Sequence, residues 1–123
     1  MKIKSLLVLL TLGMSACTGS KYAGVPKQYQ ELISQTMQTA GSNAKELKKA
    51  LKQTPTTQRE GMAFLISYMP ERDAKALTAD FLLENVDYAY KARAEFPWAK
   101  EVPNDIFLND VVAYVNLNEK REN

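Results

Sequence analysis

The chain has 123 residues, the size of one small domain, with sixteen basic residues, fourteen acidic residues, no histidine and one cysteine. This composition excludes an intrachain disulfide, a Cys–His or Ser–His–Asp catalytic arrangement, and a zinc site built on Cys or His. Lys2 and Lys4 lie in the leader described next, whereas every acidic residue follows it. The remainder is therefore about neutral, without the basic field that nucleic-acid binding needs, and we expect no nucleic-acid partner.

The first sixteen residues have the pattern of a secretory signal peptide. Lys2 and Lys4 form a positive n-region, and the apolar run that ends at Leu12 is shorter than the roughly 20 residues that span a bilayer. Met14-Ser15-Ala16-Cys17 then resembles a bacterial lipobox, with Met14 where Leu is usual. The sequence predicts cleavage before Cys17, acylation of Cys17, and a lipid-anchored protein of the bacterial cell envelope, at the outer membrane. The alternative is an ordinary secretory signal with an incidental cysteine.

The mature chain is predicted to be a tether over residues 17–25 and a helical domain over residues 26–123. Residues 18–25 are small and polar with two glycines, which is typical of a flexible tether. Every later segment has helical periodicity and none alternates in the manner of a strand. The predicted helices are Pro26 to about Ala40, Asn43 to about Gln53, Thr57 to about Met69, Thr78 to about Glu95, and Ile106 to about Tyr114. We therefore expect an all-α fold, with about five helices in a small irregular bundle.

Local signals support these boundaries. Gly41 is expected to end the first helix, Asn43 with Glu46 and Thr57 with Glu60 have capping-box spacing, and Thr78 is the expected N-cap of the fourth helix. The third helix carries a nearly continuous apolar run and is predicted to be the most buried.

Two charged helix faces invite functional interpretations. The second helix carries Lys45, Lys48, Lys49 and Lys52, and the fourth carries Asp80, Glu84 and Asp87. The lysines form either a basic patch or, as we favour for a neutral domain, a solvated face. The carboxylates suggest acid–base chemistry or calcium binding, but their spacing is that of an ordinary helix face, which we favour.

Trp98 follows Pro97, which forces Phe96 out of helical geometry and ends the fourth helix. An exposed tryptophan would suit sugar stacking. A tryptophan that folds back over the core beside a helix terminus is commoner, and this is the arrangement that we expect.

Several segments in the second half are more distinctive than a helical bundle requires. They are residues 59–66 (REGMAFLI), 69–73 (MPERD), 81–86 (FLLENV), 89–93 (AYKAR), 96–98 (FPW) and 102–109 (VPNDIFLN). In this order they resemble the helical N-terminal region of transglutaminase-like lipoproteins from Bacteroides-type bacteria, over roughly Gln28 to Glu119. The resemblance implies that a papain-like α+β core with Cys, His and Asp follows this region. The chain ends at Asn123 without those positions, so we expect it to be a leading portion truncated before that core.

The resemblance implies that apolar residues near the end of the domain face the catalytic core. This gives a candidate interaction surface of Trp98, Phe107, Val111 and Tyr114. We expect no enzyme activity, catalytic residue, cofactor or metal site in the chain itself. The expected partners are the membrane, through the acylated N-terminus, and a separately encoded catalytic core or a second copy of the chain. The alternatives are a free-standing helical lipoprotein that acts as an envelope adaptor or binding module, and an enzyme that uses carboxylates or Trp98 on glycans.

Overall fold

The computed structural model describes residues 20–113. The predicted signal peptide, the acylation site Cys17 and the surface residue Tyr114 lie outside the described residues, so these assignments stay predictions.

The described residues form helices joined by short turns, with no strand among them. The helices are α1 (Gln30–Ala40), α2 (Ala44–Gln53), α3 (Arg59–Ser67), α4 (Glu71–Ala74), α5 (Ala79–Glu95) and α6 (Asn104–Ile106), which continues as a π-helix over Phe107–Val112. Single 3₁₀ turns occupy Lys27–Tyr29, Gly41–Asn43, Thr56–Gln58 and Pro97–Glu101. The predicted all-α fold in a small irregular bundle is confirmed.

Helix α5 is the longest helix and packs against α2, α3, the Pro97–Glu101 turn and the π-helix. Helix α3 lies between α1, α2 and α5 and buries six of its nine residues, as the apolar run predicts. The residues with almost no solvent exposure come from every long element and meet in one core: Ile33, Leu47, Met62, Ile66, Leu82, Val86, Phe107 and Val112. The 3.6-residue periodicity of the sequence therefore corresponds to one continuous hydrophobic core.

The predicted capping box of Asn43 and Glu46 is wrong, because neither side chain bonds to the start of α2. Asn43 does not cap α2; its side-chain amide donates to the carbonyls of Ala74 and Leu77, both at 2.9 Å. Glu46 Oε2 accepts the backbone N–H of Ala79 at 2.9 Å, at the start of α5. Both side chains thus satisfy polar groups 31 to 34 residues away rather than those of their own helix. Spacing of three residues predicts local capping, but the loop before α5 packs closely enough to compete for the same groups.

The boundaries of α3 also differ from the prediction. Pro55 starts a 3₁₀ turn instead of a capping box, since the N–H of Gln58 donates to the Pro55 carbonyl at 2.9 Å and no side chain caps α3. The helix ends at Ser67 and not at Met69, because a residue before proline is disfavoured in helical geometry. By contrast, Thr78 is the N-cap of α5 as predicted, with its hydroxyl accepting the N–H of Phe81 at 3.2 Å.

The end of the predicted tether lies against the bundle. Val25 is buried in the core, and the Gln30 side chain accepts from the N–H of Tyr22 and donates to the carbonyls of Tyr22 and Val25. Composition alone marks residues 20–25 as flexible, but one glutamine and one buried valine attach them. The packed domain therefore begins before residue 26.

Candidate interaction surface

The surface begins where α5 stops. Phe96 has extended backbone geometry, as expected for a residue before proline, and Pro97 opens a 3₁₀ turn. This change of direction brings Phe96 and Trp98 to the same side, where their rings stack with centroids 5.9 Å apart and planes 27° apart. Trp98 is 67% exposed. The favoured prediction that it folds over the core is therefore wrong, because the short turn carries Trp98 outward and Phe96 supplies its packing partner.

Phe107 was predicted to belong to the surface, but it is only 1% exposed. Its ring meets the edge of Tyr90 at a centroid distance of 5.0 Å and an interplanar angle of 85°, and the Arg93 guanidinium lies 4.3 Å from its centroid. These contacts place Phe107 beneath the surface, where it contributes to the core rather than presenting a face to a partner. Phe107 and Val111 are four residues apart, so helical spacing alone could not show that Val111 is exposed and Phe107 is buried.

Arg93 holds the irregular segment to α5. Its guanidinium donates to the Asn104 side chain at 3.1 Å and to the Val102 carbonyl at 3.0 Å. The Asn85 side chain donates to the Val112 carbonyl at 2.8 Å, where the π-helix ends. Segment 97–112 is thus fixed by side chains of α5 although its own helices are short.

These elements enclose an apolar groove of about 130 Å³. It is lined by Ala92, Arg93, Phe96, Trp98, Ala99, Val102, Phe107 and Val111. Trp98, Phe107 and Val111, three of the four predicted surface residues, therefore meet at one site, with Phe107 as its floor; Tyr114 lies outside the described residues. Among the described residues, the lining of the groove has one charged side chain, Arg93, and no carboxylate, so it suits the docking of apolar side chains rather than acid–base chemistry.

Sequence analysis missed Phe96, Arg93 and Val102 as members of this site. The signal for Phe96 was present, since Pro97 sets its backbone geometry. No local pattern indicates Arg93 or Val102, because their roles depend on the return of the chain to the end of α5.

The carboxylates of α5 have separate partners. Asp80 contacts Lys49 at 3.3 Å, Glu84 accepts from the Tyr88 hydroxyl at 3.0 Å, and Asp87 pairs with Lys91 at 2.6 Å. The hydrogen bond from Lys91, with a second from Gln58, lowers the pKa of Asp87, whereas a general acid needs a raised pKa. This geometry favours an ordinary charged helix face.

Four cations gather at a second location. Lys21, Lys48, Lys52 and Arg59 line a pocket of about 240 Å³ together with Tyr22, Ala23, Val25 and Leu51. Two of them belong to the lysine face of α2, for which solvation was favoured over a basic patch. The other two, Lys21 and Arg59, lie outside α2, so no single helix face shows the cluster.

Within residues 20–113, no group of three or more acidic or cysteine side chains is placed to hold a metal ion. None of the helices over the same range has the length and hydrophobicity to cross a membrane. Comparisons of the chain with protein-family models, with curated proteins and with solved structures found no match.

Proposed function

We propose that the chain is the non-catalytic helical region of a transglutaminase-like lipoprotein, anchored to the bacterial envelope through acylated Cys17. Its role is to dock a transglutaminase-like catalytic core on the groove beside Trp98. The observation that supports this most is the exposure of the Phe96–Trp98 stack next to Val111, at the place where the family resemblance implies contact with that core.

Three large apolar side chains are exposed together beside the groove. Trp98 and Val111 are 67% and 43% exposed, and Phe96 is 48% exposed. Exposed aromatic clusters of this kind mark interaction sites, and tryptophan is enriched among the residues that dominate binding energy. Because Arg93 and Phe107 fix the floor of the groove, a partner would meet a preformed surface at low entropic cost.

Position-specific photo-crosslinking in intact cells tests this proposal. A photoreactive phenylalanine analogue at position 98 is expected to crosslink to a polypeptide with a Cys–His–Asp transglutaminase-like core. Tyr68 is the matched control, since it is an aromatic residue of similar exposure, 61%, that does not line the groove. Equal crosslinking at both positions, or no crosslink to such a core from position 98, would contradict the docking role.

A second candidate is supported by the closed core. The helices bury their own apolar stripes against one another, which is what a free-standing helical lipoprotein acting as an adaptor would need. In this case position 98 would crosslink to an envelope protein without a catalytic core. Intact-mass analysis of the membrane-extracted protein tests the anchor shared by both candidates: it should show loss of residues 1–16 and the mass of a lipid, whereas an unmodified Cys17 would contradict it.

A further inference from the structure

We propose that the pocket formed by Lys21, Lys48, Lys52 and Arg59 binds a phosphate group. The four cations come from three separate segments: the chain before α1, the helix α2 and the first residue of α3. Within the described residues no carboxylate lines the pocket, and none of the four makes an ion pair. The Lys21 ammonium has one neutral partner, the Ser34 hydroxyl at 3.5 Å, which lies outside the pocket lining. The arrangement thus concentrates positive charge that the neutral composition of the domain conceals.

Arg59 shows that the charge is built into the fold. Its Nη2 donates to the Thr54 carbonyl at 2.9 Å and its Nη1 to the Ala23 carbonyl at 3.3 Å, while its Nε is buried without a hydrogen-bond partner. Two neutral carbonyls orient a guanidinium but do not neutralise it. A guanidinium is planar, and its fork of N–H groups can pair with two oxygens of a phosphate.

The chain before α1 is shaped around this guanidinium. Gly24 has a φ of +72°, and a Cβ on this residue would lie 2.5 Å from Arg59 Nη1. A positive φ favours glycine at this position, and the missing side chain leaves room for the guanidinium where it lies. This approach brings Ala23 and Lys21 to the pocket.

The lysines are placed at a cost to α2. Lys48 and Lys52 are four residues apart on one exposed helix face, and like charges at this spacing repel. Lys49, on the same helix, pairs with Asp80, so the helix has an acidic partner within reach of a neighbouring lysine but not of these two. A bound anion would relieve their repulsion and serve Arg59 at the same time.

Size and location indicate the source of the phosphate. The volume of about 240 Å³ is below the range of roughly 300–1,000 Å³ that is usual for drug-sized ligands, and it suits a single phosphate ester. Lys21 follows Cys17 by four residues, which span at most about 14 Å when fully extended. On the proposed anchoring at Cys17, the pocket can therefore reach the phosphate of a membrane lipid headgroup; free inorganic phosphate offers the same chemistry.

Lysine acetylation read by mass spectrometry tests the site on the protein purified from membranes in nonionic detergent. Inorganic phosphate is expected to slow the acetylation of Lys48 and Lys52 but not of Lys45, an exposed lysine of the same helix that does not line the pocket. Protection of Lys48 and Lys52 in vesicles of equal parts phosphatidylglycerol and phosphatidylcholine, without free phosphate, identifies the lipid headgroup as the source. Protection by inorganic phosphate alone identifies the free anion.

A charge-removing variant supplies the second arm. Arg59→Gln is expected to raise the phosphate concentration needed for protection on the order of tenfold, because a charge-assisted contact is lost. Arg72→Gln, at an exposed arginine of α4, removes the same charge away from the pocket and should change it less than about twofold. If Arg59→Gln fails to fold, Lys52→Gln with protection read at Lys48 replaces it.

The proposal would be overturned if neither phosphate nor anionic vesicles protected Lys48 and Lys52 from acetylation. Equal protection of Lys45 and Lys48 would also overturn it. The phosphate measurement does not require a docked partner, because the groove beside Trp98 shares no residue with the pocket. Failure of the phosphate site and failure of the proposed docking function are therefore separate results.

Discussion

Two regions of the molecule differ in how they bury their apolar side chains. One consists of the helices α1, α2, α3 and α5, and the other is the segment from Phe96 to Val112. In the four helices, most large apolar side chains are buried, although Phe81 and Tyr88 of α5 are exposed, and the backbone is regular α-helix. The later segment consists of a 3₁₀ turn, one short helix and a π-helix, and it leaves Phe96, Trp98 and Val111 exposed. The four helices supply most of the core, and Phe107 and Val112 of the later segment complete it. On the proposed function, the exposed side chains of that segment, which Arg93 and Asn85 hold to α5, are the ones that a partner contacts.

Truncation of a core side chain is expected to have the largest effect on stability. Leu82 is fully buried on α5, so Leu82→Ala should lower the free energy of unfolding by about 2–5 kcal/mol, through lost burial and the cavity left behind. Urea denaturation of the Cys17→Ser protein measures this. A loss below about 1 kcal/mol would contradict the closed core that the comparison requires.

Removal of the Asn43 side chain should have the second-largest effect on stability. Asn43→Ala removes both hydrogen bonds to the Ala74 and Leu77 carbonyls and should cost about 1–3 kcal/mol. Asn109→Ala is the control, because that exposed side chain bonds only to the Asp105 carbonyl four residues before it. Equal losses in the two variants would show that Asn43 does not join α2 to the loop before α5.

Tyr90 links the two regions and should have a smaller effect. Its hydroxyl accepts the N–H of Gly61 at 3.2 Å and its ring meets Phe107, so Tyr90→Phe should cost about 0.5–1.5 kcal/mol at neutral pH. Tyr68→Phe, which removes an exposed hydroxyl, should cost less.

Burial raises the pKa of Tyr90, which adds a test at high pH. Since the folded pKa lies above the unfolded value of about 10, the contribution is complete below pH 10 and is lost as the pH rises through the folded pKa. The stability of Tyr90→Phe should therefore fall less steeply above pH 10 than that of the parent. Parallel pH profiles would show that the ring is not desolvated.

Trp98→Ala should have the smallest effect on stability and the largest effect on partner binding. Since Trp98 is mostly exposed, we expect the free energy of unfolding to change by no more than about 0.5 kcal/mol in the same denaturation assay. The variant should no longer bind the partner that crosslinking at position 98 identifies. Loss of more than about 2 kcal/mol would place Trp98 among the residues that stabilise the bundle.

The predictable and unpredictable parts of the molecule follow the same division. Helical periodicity was sufficient for α5, whose range and N-cap at Thr78 were predicted. It was insufficient for Asn43 and Glu46, whose partners lie more than thirty residues away. In the later segment, Trp98 and Phe107 both departed from expectation, because a short turn and a π-helix reverse which apolar side chains face inward. The cationic pocket was not predicted either, because Lys21 and Arg59 line one pocket only after the chain has folded.

On the proposed function, the surface around Trp98 is open in the free chain and is covered when a partner binds. Trp98 is the single tryptophan of the sequence, so its fluorescence reports on this site alone. The account predicts that acrylamide quenches Trp98 strongly in the Cys17→Ser protein. The transglutaminase-like core that crosslinking at position 98 identifies is then added to the protein with its native Trp98. Its binding should shift the emission to shorter wavelength and reduce the quenching. A tryptophan already shielded in the free chain, or one whose emission and quenching stay unchanged at saturating core, would contradict the account.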